Sequence, residues 1–437
     1  METEVPAASL DGVKARLSEL KALKGRLGRQ IDEARQQDTR PDDLISEMQR
    51  VGKEIKQLQK RIKSQLNDET AAAGWTPRPP AMPDVIADRP LNEPVTVSVC
   101  GPDGHDLADR YVAGHPAGSI WHRPDVSACI HATFGHNTSY LCASDATGGI
   151  VGVLPLVQLR SRLFGNFLVS LPYFNYGGVL ADHAEVAHLL IAAAATRREE
   201  LGAGHLELRF SQDTGSGRPQ RTDKVTFWLP LPNDPNDLWH SFSPKLRAQI
   251  RRGERELSEF VVGGEELLDE FYRVFSINMR DLGTPVYGRV FFRNLLRSLG
   301  GHAWLVIARV NGQAVGCAFL TGYRNRMEIP WASTLRSHSH NAVNMILYWR
   351  ILQFAMDKGY EIFDFGRCSE DAGTYRFKQQ WGAQPLRLYW EYILPTGETL
   401  PALNPGNPKF RLLIAAWKRL PVWLANRVGP RIVRVLP

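Results

Sequence analysis

An acid, an arginine and a lysine lie close together near the end of the chain, in Asp364-Phe-Gly-Arg367 and Gly373-Thr-Tyr-Arg-Phe-Lys378-Gln-Gln-Trp-Gly382. The preceding run, Tyr360-Glu-Ile-Phe363, predicts a buried strand. The residues that follow predict a helix with Tyr375, Lys378 and Gln379 on neighbouring faces. A strand end that releases an acid and an arginine, followed by a helix that returns a lysine, is a usual way to build a small polar site.

The other reactive residue types form no recognisable motif. The sequence contains no G-x-S-x-G, no P-loop and no Rossmann glycine fingerprint, which argues against those hydrolase and nucleotide-binding classes. Its five cysteines form no CxxC pair and no Cys/His cluster with metal-ligand spacing, so we expect no structural metal. An odd number of scattered cysteines fits a reducing compartment. We expect no cofactor.

Length and charge bound the remaining possibilities. The 437 residues are enough for two to three domains of roughly 100–200 residues each. The net charge of +7 is compatible with an anionic partner such as tRNA, a phosphorylated substrate or an anionic membrane face, and equally with no such partner. Because there is no secretory signal and no apolar run of about 18 residues, we expect a cytoplasmic protein without a membrane span.

Residues 8–67 have the apolar pattern of a coiled coil, with steps of three and four on both sides of the polar break Asp38-Thr-Arg-Pro-Asp-Asp43. Two such helices around a short turn predict an antiparallel hairpin. The hairpin could serve self-association, or it could bind nucleic acid, since it is similar to the tRNA-binding arm of seryl-tRNA synthetase. Residues 68–92, rich in Pro, Ala and Asp, predict a semi-rigid linker.

Residues 93–232 and 233–395 repeat one order of strands and helices, which predicts an α/β fold of two domains that arose by duplication. The clearest matching segments are Gly149–Leu156 and Gln313–Leu320, each interpreted as a strand pair joined through Val-Gly.

Residues 404–437 contain no acid. Their basic residues alternate with Trp, Leu and Val, which predicts a broken amphipathic helix of the kind that lies on an anionic membrane. Packing on the protein body and contact with tRNA phosphates are the alternatives. The predicted location is therefore cytoplasmic, with a peripheral position at the inner face of the cytoplasmic membrane as an option.

Taken together, these segments resemble the FemAB-type peptidyltransferases, a branch of the GNAT superfamily with two GNAT-like domains in tandem. The similarity covers about residues 95–395 and is closest to the FemAB-like proteins associated with exosortase (PEP-CTERM) and exopolysaccharide loci. It rests on Asn175-Tyr-Gly-Gly178, Leu246-Arg-Ala-Gln-Ile-Arg-Arg-Gly253, Asn344-Met-Ile-Leu-Tyr-Trp349 and the Asp364–Gly382 stretch described above.

The resemblance implies an acyltransferase that forms an amide bond on an amine of a peptidoglycan or exopolysaccharide precursor, linked to a lipid or a nucleotide. The implied donor is aminoacyl-tRNA, and acyl-CoA is the alternative. GNAT enzymes hold the CoA pyrophosphate on a glycine-rich loop before a long helix, whereas the corresponding Arg336–Ala342 contains no glycine. A non-catalytic scaffold of an envelope-assembly complex is the runner-up from another class.

The resemblance also implies the site residues. Phe377-Lys378 matches the family's Phe-Lys pair, so Lys378 is expected to stabilise negative charge on the donor, with Tyr375 as a proton donor or a packing residue. Asp364 is expected to accept a proton from the acceptor amine or to orient it, and pairing with Arg367 is the alternative. The other residues expected to bind the substrate or the donor are Arg367, Phe377, Arg336, Asn344, Lys245, Arg247, Arg251, Tyr173, Asn175 and Tyr176. Three of these sets have an alternative interpretation. Asn344 could be a helix cap, the basic run on Lys245, Arg247 and Arg251 could be a solvated face, and the residues before Gly177 could serve turn chemistry.

Overall fold

The structure is a computed structural model that describes residues 10–36, 41–72, 75–78, 80–87, 89–162, 164–370, 372–400 and 408–436. The chain divides into two compact units, with the boundary between Thr76 and Pro77.

The first unit is the helical hairpin that the apolar pattern predicts. Helix α1 spans Leu10–Gln36 and helix α2 spans Asp42–Ala72. Their shared core contains the buried side chains Leu20, Leu27 and Val51. Residues 37–40 of the predicted break lie outside the described residues. Helix α2 continues past the predicted start of the linker at 68, because residues 68–72 include no proline or glycine to end it.

The second unit contains the remaining helices, which follow one another in chain order. They are α3 (His105–Gly114), α4 (Pro124–Phe134), α5 (Ala184–Glu200), α6 (Pro235–Ser241), α7 (Pro244–Glu256), α8 (Leu268–Leu282), α9 (Arg289–Leu299), α10 (Val343–Asp357), α11 (Gly373–Gln379), α12 (Pro408–Trp417) and α13 (Val422–Val433).

Fifteen strands are described, all of them in the second unit. They are β1 (Thr96–Val99), β2 (Asn137–Ser144), β3 (Ile150–Ser161), β4 (Gly165–Val169), β5 (Leu180–Ala181), β6 (Leu206–Phe210), β7 (Gln220–Arg221), β8 (Lys224–Pro230), β9 (Glu259–Gly263), β10 (Ala303–Val310), β11 (Gln313–Tyr323), β12 (Arg326–Thr334), β13 (Ile362–Ser369), β14 (Gln384–Arg387) and β15 (Tyr389–Ile393).

The strands form two sheets with a repeated topology. The first sheet has the order β1-β2-β3-β4-β6-β15-β7, with β5 on β3, and the second has the order β14-β8-β13-β12-β11-β10-β9. In each sheet a meander of antiparallel strands ends in a parallel pair, β4 with β6 and β12 with β13. The α/β fold with two similar halves is therefore confirmed. The segments Gly149–Leu156 and Gln313–Leu320 correspond as expected, but almost all of each lies in one continuous strand, β3 or β11, rather than in a strand pair.

Each sheet contains one strand from beyond the predicted boundary at 232/233. Strand β8 precedes that boundary but pairs with β13 and β14 of the second sheet. Strand β15 follows it but pairs with β6 of the first sheet. The short apolar runs of these strands carry no signal for their partner, because periodicity indicates a strand but not its neighbour.

The core lies on both faces of the first sheet. One apolar cluster joins strands of both sheets with helices α4, α8 and α9, and it includes Trp121, Phe291 and Phe319. A second cluster packs the other face of the first sheet against α3 and α5. No described helix is both long enough and apolar enough to cross a membrane.

The C-terminal segment forms two helices, α12 and α13, and residues 404–407 and 437 lie outside the described residues. Helix α13 packs on the body, where Asn426 Nδ2 donates to Ser276 Oγ at 3.3 Å. Leu413 and Trp423 stay exposed, at 64% and 67% of their surface. The segment is thus attached to the body along one face and open along another.

Candidate functional site

Asp364 lies at the point where the parallel pair β12–β13 separates. Three residue pairs lie opposite each other in this strand pair, and Glu328 with Asp364 is the last of them. Asp364 is fully buried and accepts hydrogen bonds from Thr226 Oγ1 at 2.7 Å, Trp228 Nε1 at 3.0 Å and the Gly366 N–H at 2.8 Å. The Tyr176 hydroxyl donates to the same carboxylate. With these donors around it, Asp364 is a fixed anion that positions its neighbours.

The predicted pairing of Asp364 with Arg367 does not occur. None of the described contacts of Asp364 is with Arg367, whose guanidinium instead lies 5.0 Å from the centre of the Trp390 ring. The strand register explains this, because a bulge between Asp364 and Arg367 turns the two side chains apart.

Glu328 is a buried acid that the sequence interpretation missed. It is 3% exposed and accepts hydrogen bonds from Trp121 Nε1 at 2.6 Å and Asn175 Nδ2 at 3.0 Å. Burial raises the pKa of Glu328 to about 8, and the negative charge of Asp364 adds to this increase. The only signal in the sequence is an acid between apolar residues in Arg326-Met-Glu-Ile-Pro330.

Lys378 is buried beside the same bulge. Its ammonium group donates to the carbonyl oxygens of Gly366 at 2.6 Å and Arg367 at 3.0 Å, and the residue is 6% exposed. Burial lowers the pKa of Lys378 to about 8. A lysine has three N–H donors, so one is left over from the bonds to described residues. Lys378 is thus not a solvated surface lysine.

Gly366 is the local reason for this geometry. Its φ of 72° lies in the left-handed region, which a residue with a Cβ adopts only with strain. This conformation directs the carbonyl oxygens of Gly366 and Arg367 to the ammonium of Lys378, one bond each. The glycine in Asp364-Phe-Gly-Arg367 thereby links the strand end to helix α11.

The aromatic residues of helix α11 pack against the body. Tyr375 is half-buried, and its ring meets Phe227 edge-on at 4.9 Å. Phe377 meets Tyr348 at 4.9 Å. These contacts favour the packing role of Tyr375 over proton donation. Phe377 packs on Tyr348, and its role in binding substrate stays a prediction.

The three first-half residues expected to line an acceptor cleft lie in three different places. Tyr173 is buried and its hydroxyl donates to the carbonyl oxygen of Arg434 at 2.6 Å. Asn175 holds Glu328, as described above. Tyr176 lines a cavity of the described structure.

That cavity has a volume of about 510 Å³. Its floor contains the rings of Tyr176 and Trp228, and the guanidinium carbon of Arg326 lies 5.3 and 4.6 Å from their centres. Arg326 forms no ion pair with any residue that the structure describes. Tyr176 and Trp228 also donate to Asp364, so one layer of side chains separates the cavity from the buried acid.

His122 forms part of the wall of the cavity. It is 3% exposed, its Nδ1 lies 2.8 Å from Ser119 Oγ, and burial lowers its pKa to about 3. It therefore stays neutral at physiological pH, and the positive charge of the cavity comes from Arg324 and Arg326.

The expected donor-side residues lie on helix α7 and at the start of helix α10. Arg336 is exposed in a 3₁₀ turn, Arg336–Asn341. Asn344 is the second residue of α10 and not its N-cap, since that position belongs to Ala342. Lys245, Arg247 and Arg251 lie on α7, where Lys245 and Arg251 are exposed and Arg251 lies over the Trp239 ring at 5.3 Å. No described contact connects these residues to Lys378.

The described residues contain no group of three or more His, Cys, Asp or Glu side chains that could hold a metal ion.

Residues 244–379 match the acetyltransferase (GNAT) domain family. Over this stretch the chain is similar to a GNAT domain. The stretch contains the β12–β13 separation, Asp364 and Lys378. No curated protein matches the chain.

Solved structures extend the likeness to both halves. The crystal structure of FemX is 13% identical and matches 68% of this chain and 97% of its own, with a TM-score of 0.55. A tandem GNAT protein from the clavulanic acid biosynthesis pathway is 14% identical over 70% of this chain and 100% of its own, with a TM-score of 0.45. The C-terminal domain of a putative lysylphosphatidylglycerol synthetase from Agrobacterium fabrum is 12% identical over 72% and 95%, with a TM-score of 0.45.

The likeness to FemX shows that the two halves share its fold. The narrower resemblance to exosortase-associated proteins stays a prediction, as do the domain boundaries at 93, 232 and 395.

Proposed function

We propose that this protein transfers an aminoacyl or other acyl group to an amine of a cell-envelope precursor at the corner formed by β13 and α11. The observation that carries the proposal is the buried ammonium of Lys378, fixed by two carbonyl oxygens at the separation of a parallel strand pair. The GNAT match over residues 244–379 and the fold of FemX are consistent with it.

The reaction needs little acid–base chemistry. A neutral amine attacks the carbonyl carbon of the donor ester, the C–N bond forms and the ester C–O bond breaks, and the proton of the amine passes to the departing oxygen. The step requires stabilisation of the oxyanion that develops on the carbonyl. The remaining N–H of Lys378 can supply it, because an ammonium in a water-poor site stabilises negative charge more than one in water.

Asp364 has a positioning role in this scheme. Its oxygens already accept four hydrogen bonds, so it is poorly placed to take a proton from the amine. It holds Tyr176 and Trp228, which form the floor of the cavity beside Arg326. Aromatic faces beside an unpaired arginine are suited to a sugar or peptide that carries negative charge, and we assign the acceptor to this cavity.

We further propose aminoacyl-tRNA as the donor, because the loop before α10 is poorly suited to a CoA pyrophosphate. Two of its N–H groups are already bonded, that of His338 to the Leu335 carbonyl and that of Ala342 to the Ser339 carbonyl. The side chain of Asn341 also holds a carboxylate, Glu256, at 3.1 Å. An acid at this position repels phosphate, and occupied N–H groups cannot bind it.

The C-terminal helices support a proposed peripheral contact with an anionic membrane. Leu413 and Trp423 are exposed, and so are Lys418, Arg427 and Arg431. Exposed apolar side chains beside basic ones, on a segment without acids, are complementary to anionic headgroups over acyl chains. Self-association or nucleic-acid binding through residues 8–67 stays a prediction.

Substitution of Lys378 tests the enzymatic proposal. The Lys378→Met variant and a control, Arg376→Met on the exposed side of the same helix, are incubated with radiolabelled aminoacyl-tRNA and lipid- or nucleotide-linked amino-sugar precursors. We expect transfer by the wild type and the control and at least about a hundredfold loss in Lys378→Met. Equal transfer by both variants would refute the role of Lys378. Wild-type transfer that survives RNase but needs acyl-CoA would refute the donor, and no transfer with either donor would favour a scaffold.

A further inference from the structure

One buried and one half-buried arginine lie against one indole ring at the interface of the two sheets. Arg209 on β6 and Trp390 on β15 are direct register partners, and the guanidinium carbon of Arg209 lies 4.2 Å from the ring centre. Arg367 on β13 of the other sheet reaches the same ring at 5.0 Å. The first sheet thus supplies one arginine and the indole, and the second sheet supplies the other arginine.

The hydrogen bonds of Arg209 leave one nitrogen, Nη2, and its two N–H groups without an acceptor among the described residues. Its Nε donates to Glu207 at 2.8 Å, and its Nη1 donates to the carbonyl oxygens of Leu171 at 3.2 Å and Phe174 at 2.9 Å. Its Nη2 has no described partner, although Arg209 is fully buried. Buried N–H groups are almost always bonded, so this one indicates a missing acceptor.

Arg367 and Trp390 also each have a buried nitrogen that lacks a described hydrogen-bond acceptor. Arg367 Nη1 and Trp390 Nε1 are enclosed and have no partner among the described residues. Three donors around one indole therefore lack an acceptor. Both residues are half-buried as a whole, whereas their unpartnered nitrogens are fully enclosed.

Only one of the two guanidinium groups has an ion pair among the described residues. Arg209 is paired with Glu207, which also accepts from the Tyr392 hydroxyl at 2.7 Å. Arg367 has no described ion pair and meets Glu207 and Asp223 only through their charge. Burial and the nearby charge of Arg209 lower the pKa of Arg367 to about 10. Like charges held together without water are costly, and an anion between them removes the cost.

We propose that Arg209, Arg367 and Trp390 form a binding site for one oxyanion, a carboxylate or a phosphate, of the amine-bearing substrate. The assignment of the anion to that substrate rests on the proposed function. The site lies next to the reacting corner, since Lys378 donates to the carbonyl oxygen of Arg367 itself. A substrate whose oxyanion is bound here would therefore lie beside Arg367, the residue whose carbonyl oxygen Lys378 contacts.

Anion binding can be measured without any transfer reaction. Isothermal titration and thermal unfolding with inorganic phosphate, and separately with acetate, are compared for the wild type, Arg367→Met and Trp390→Phe. The control is Arg387→Met, which removes an exposed arginine paired with Glu370. Trp390→Phe keeps an aromatic ring while it removes the indole N–H and reduces the two fused rings to one, so it tests the site even where Arg367→Met folds poorly.

We expect saturable binding of at least one anion by the wild type and the control. Arg367→Met should weaken it by about tenfold to a hundredfold and Trp390→Phe by about threefold to tenfold, the cost of a lost hydrogen bond to a charged group. The stronger of the phosphate and acetate arms identifies the group. Absence of saturable binding in the wild type, or equal binding by the control and both variants, would overturn the site.

A Lys378→Met variant separates this inference from the proposed function. The oxyanion site predicts that this variant binds the anion as the wild type does, whether or not transfer occurs. Retained binding without any transfer activity in the wild type would leave the oxyanion site standing and overturn only its assignment to a transferase substrate. Loss of binding in Lys378→Met would place the anion at the lysine instead and overturn the three-residue site.

Discussion

Replacing Glu328 by glutamine should make the free energy of unfolding less dependent on pH. Glu328 is 3% exposed and lies opposite Asp364 in the β12–β13 register. Burial, and then the charge of Asp364, raise its pKa from 4.5 to about 8. Glutamine has nearly the same size and cannot ionise, so the substitution removes the titration and leaves the packing.

The sign follows from proton binding. Because the pKa is higher in the folded state, the folded protein binds the extra proton between about pH 4.5 and pH 8. The stability that this proton contributes is fully present below about pH 4.5 and is lost as the pH rises through about 8. One pKa unit corresponds to about 1.4 kcal/mol, which gives a ceiling of about 5 kcal/mol over the window. Relaxation around the charged group lowers this, and we expect about 2–3 kcal/mol.

Urea unfolding of the wild type and the Glu328→Gln variant, from about pH 5 to about pH 9, measures the effect. At the lowest pH the variant should be the less stable protein, because its amide nitrogen cannot accept the bond from Trp121 or Asn175. The difference should then move in favour of the variant by about 2–3 kcal/mol as the pH rises. Glu361→Gln, an exposed acid next to β13, is the control and should show no such trend. A difference that stays constant across this range would refute the buried-acid reasoning.

Three further outcomes are expected. Transfer should decline above about pH 8 as Lys378 loses its proton, and a rate that still rises at higher pH would contradict its role as a cation. Gly366→Ala should lower the free energy of unfolding by about 1–2 kcal/mol because of its positive φ, whereas Gly373→Ala, with open space around it, should change little; equal effects would contradict the strain. Trp423→Ser should reduce flotation with anionic vesicles relative to Val99→Ser, another exposed apolar residue, and equal flotation would reject the membrane contact.

Features set by local sequence were predictable. The hairpin follows from apolar steps of three and four, and most strands of the two meanders follow from short apolar runs. The corner from Asp364 to Lys378 was also visible, because a strand, a glycine and a helix follow one another directly. What remained hidden was the interior of the corner. A lysine in a short helix is ordinarily exposed, whereas Lys378 is buried against the carbonyl oxygens of a turn in which Gly366 has a positive φ.

Features set by contacts between distant segments were not predictable. Glu328 acquires its environment from Trp121 and Asn175, which lie more than a hundred residues earlier in the chain. A single acid in a strand looks the same in sequence whether it faces water or another buried acid. The capping alternative for Asn344 is wrong for a smaller reason, since Ala342 adopts the left-handed conformation and caps the helix two residues before Asn344. The predicted role of Asn344 in donor binding stays a prediction.

The exchanged strands connect the two halves at the level of chemistry. Strand β8 carries Thr226 and Trp228, two of the donors that fix Asp364. Strand β15 carries Trp390, on which Arg367 lies. Residues 244–379, the part that matches the GNAT family, include neither strand. Asp364 and Arg367 of the second sheet therefore have partners in segments that flank the GNAT-matching stretch on both sides. The electrostatic environment of the corner thus depends on the whole second unit.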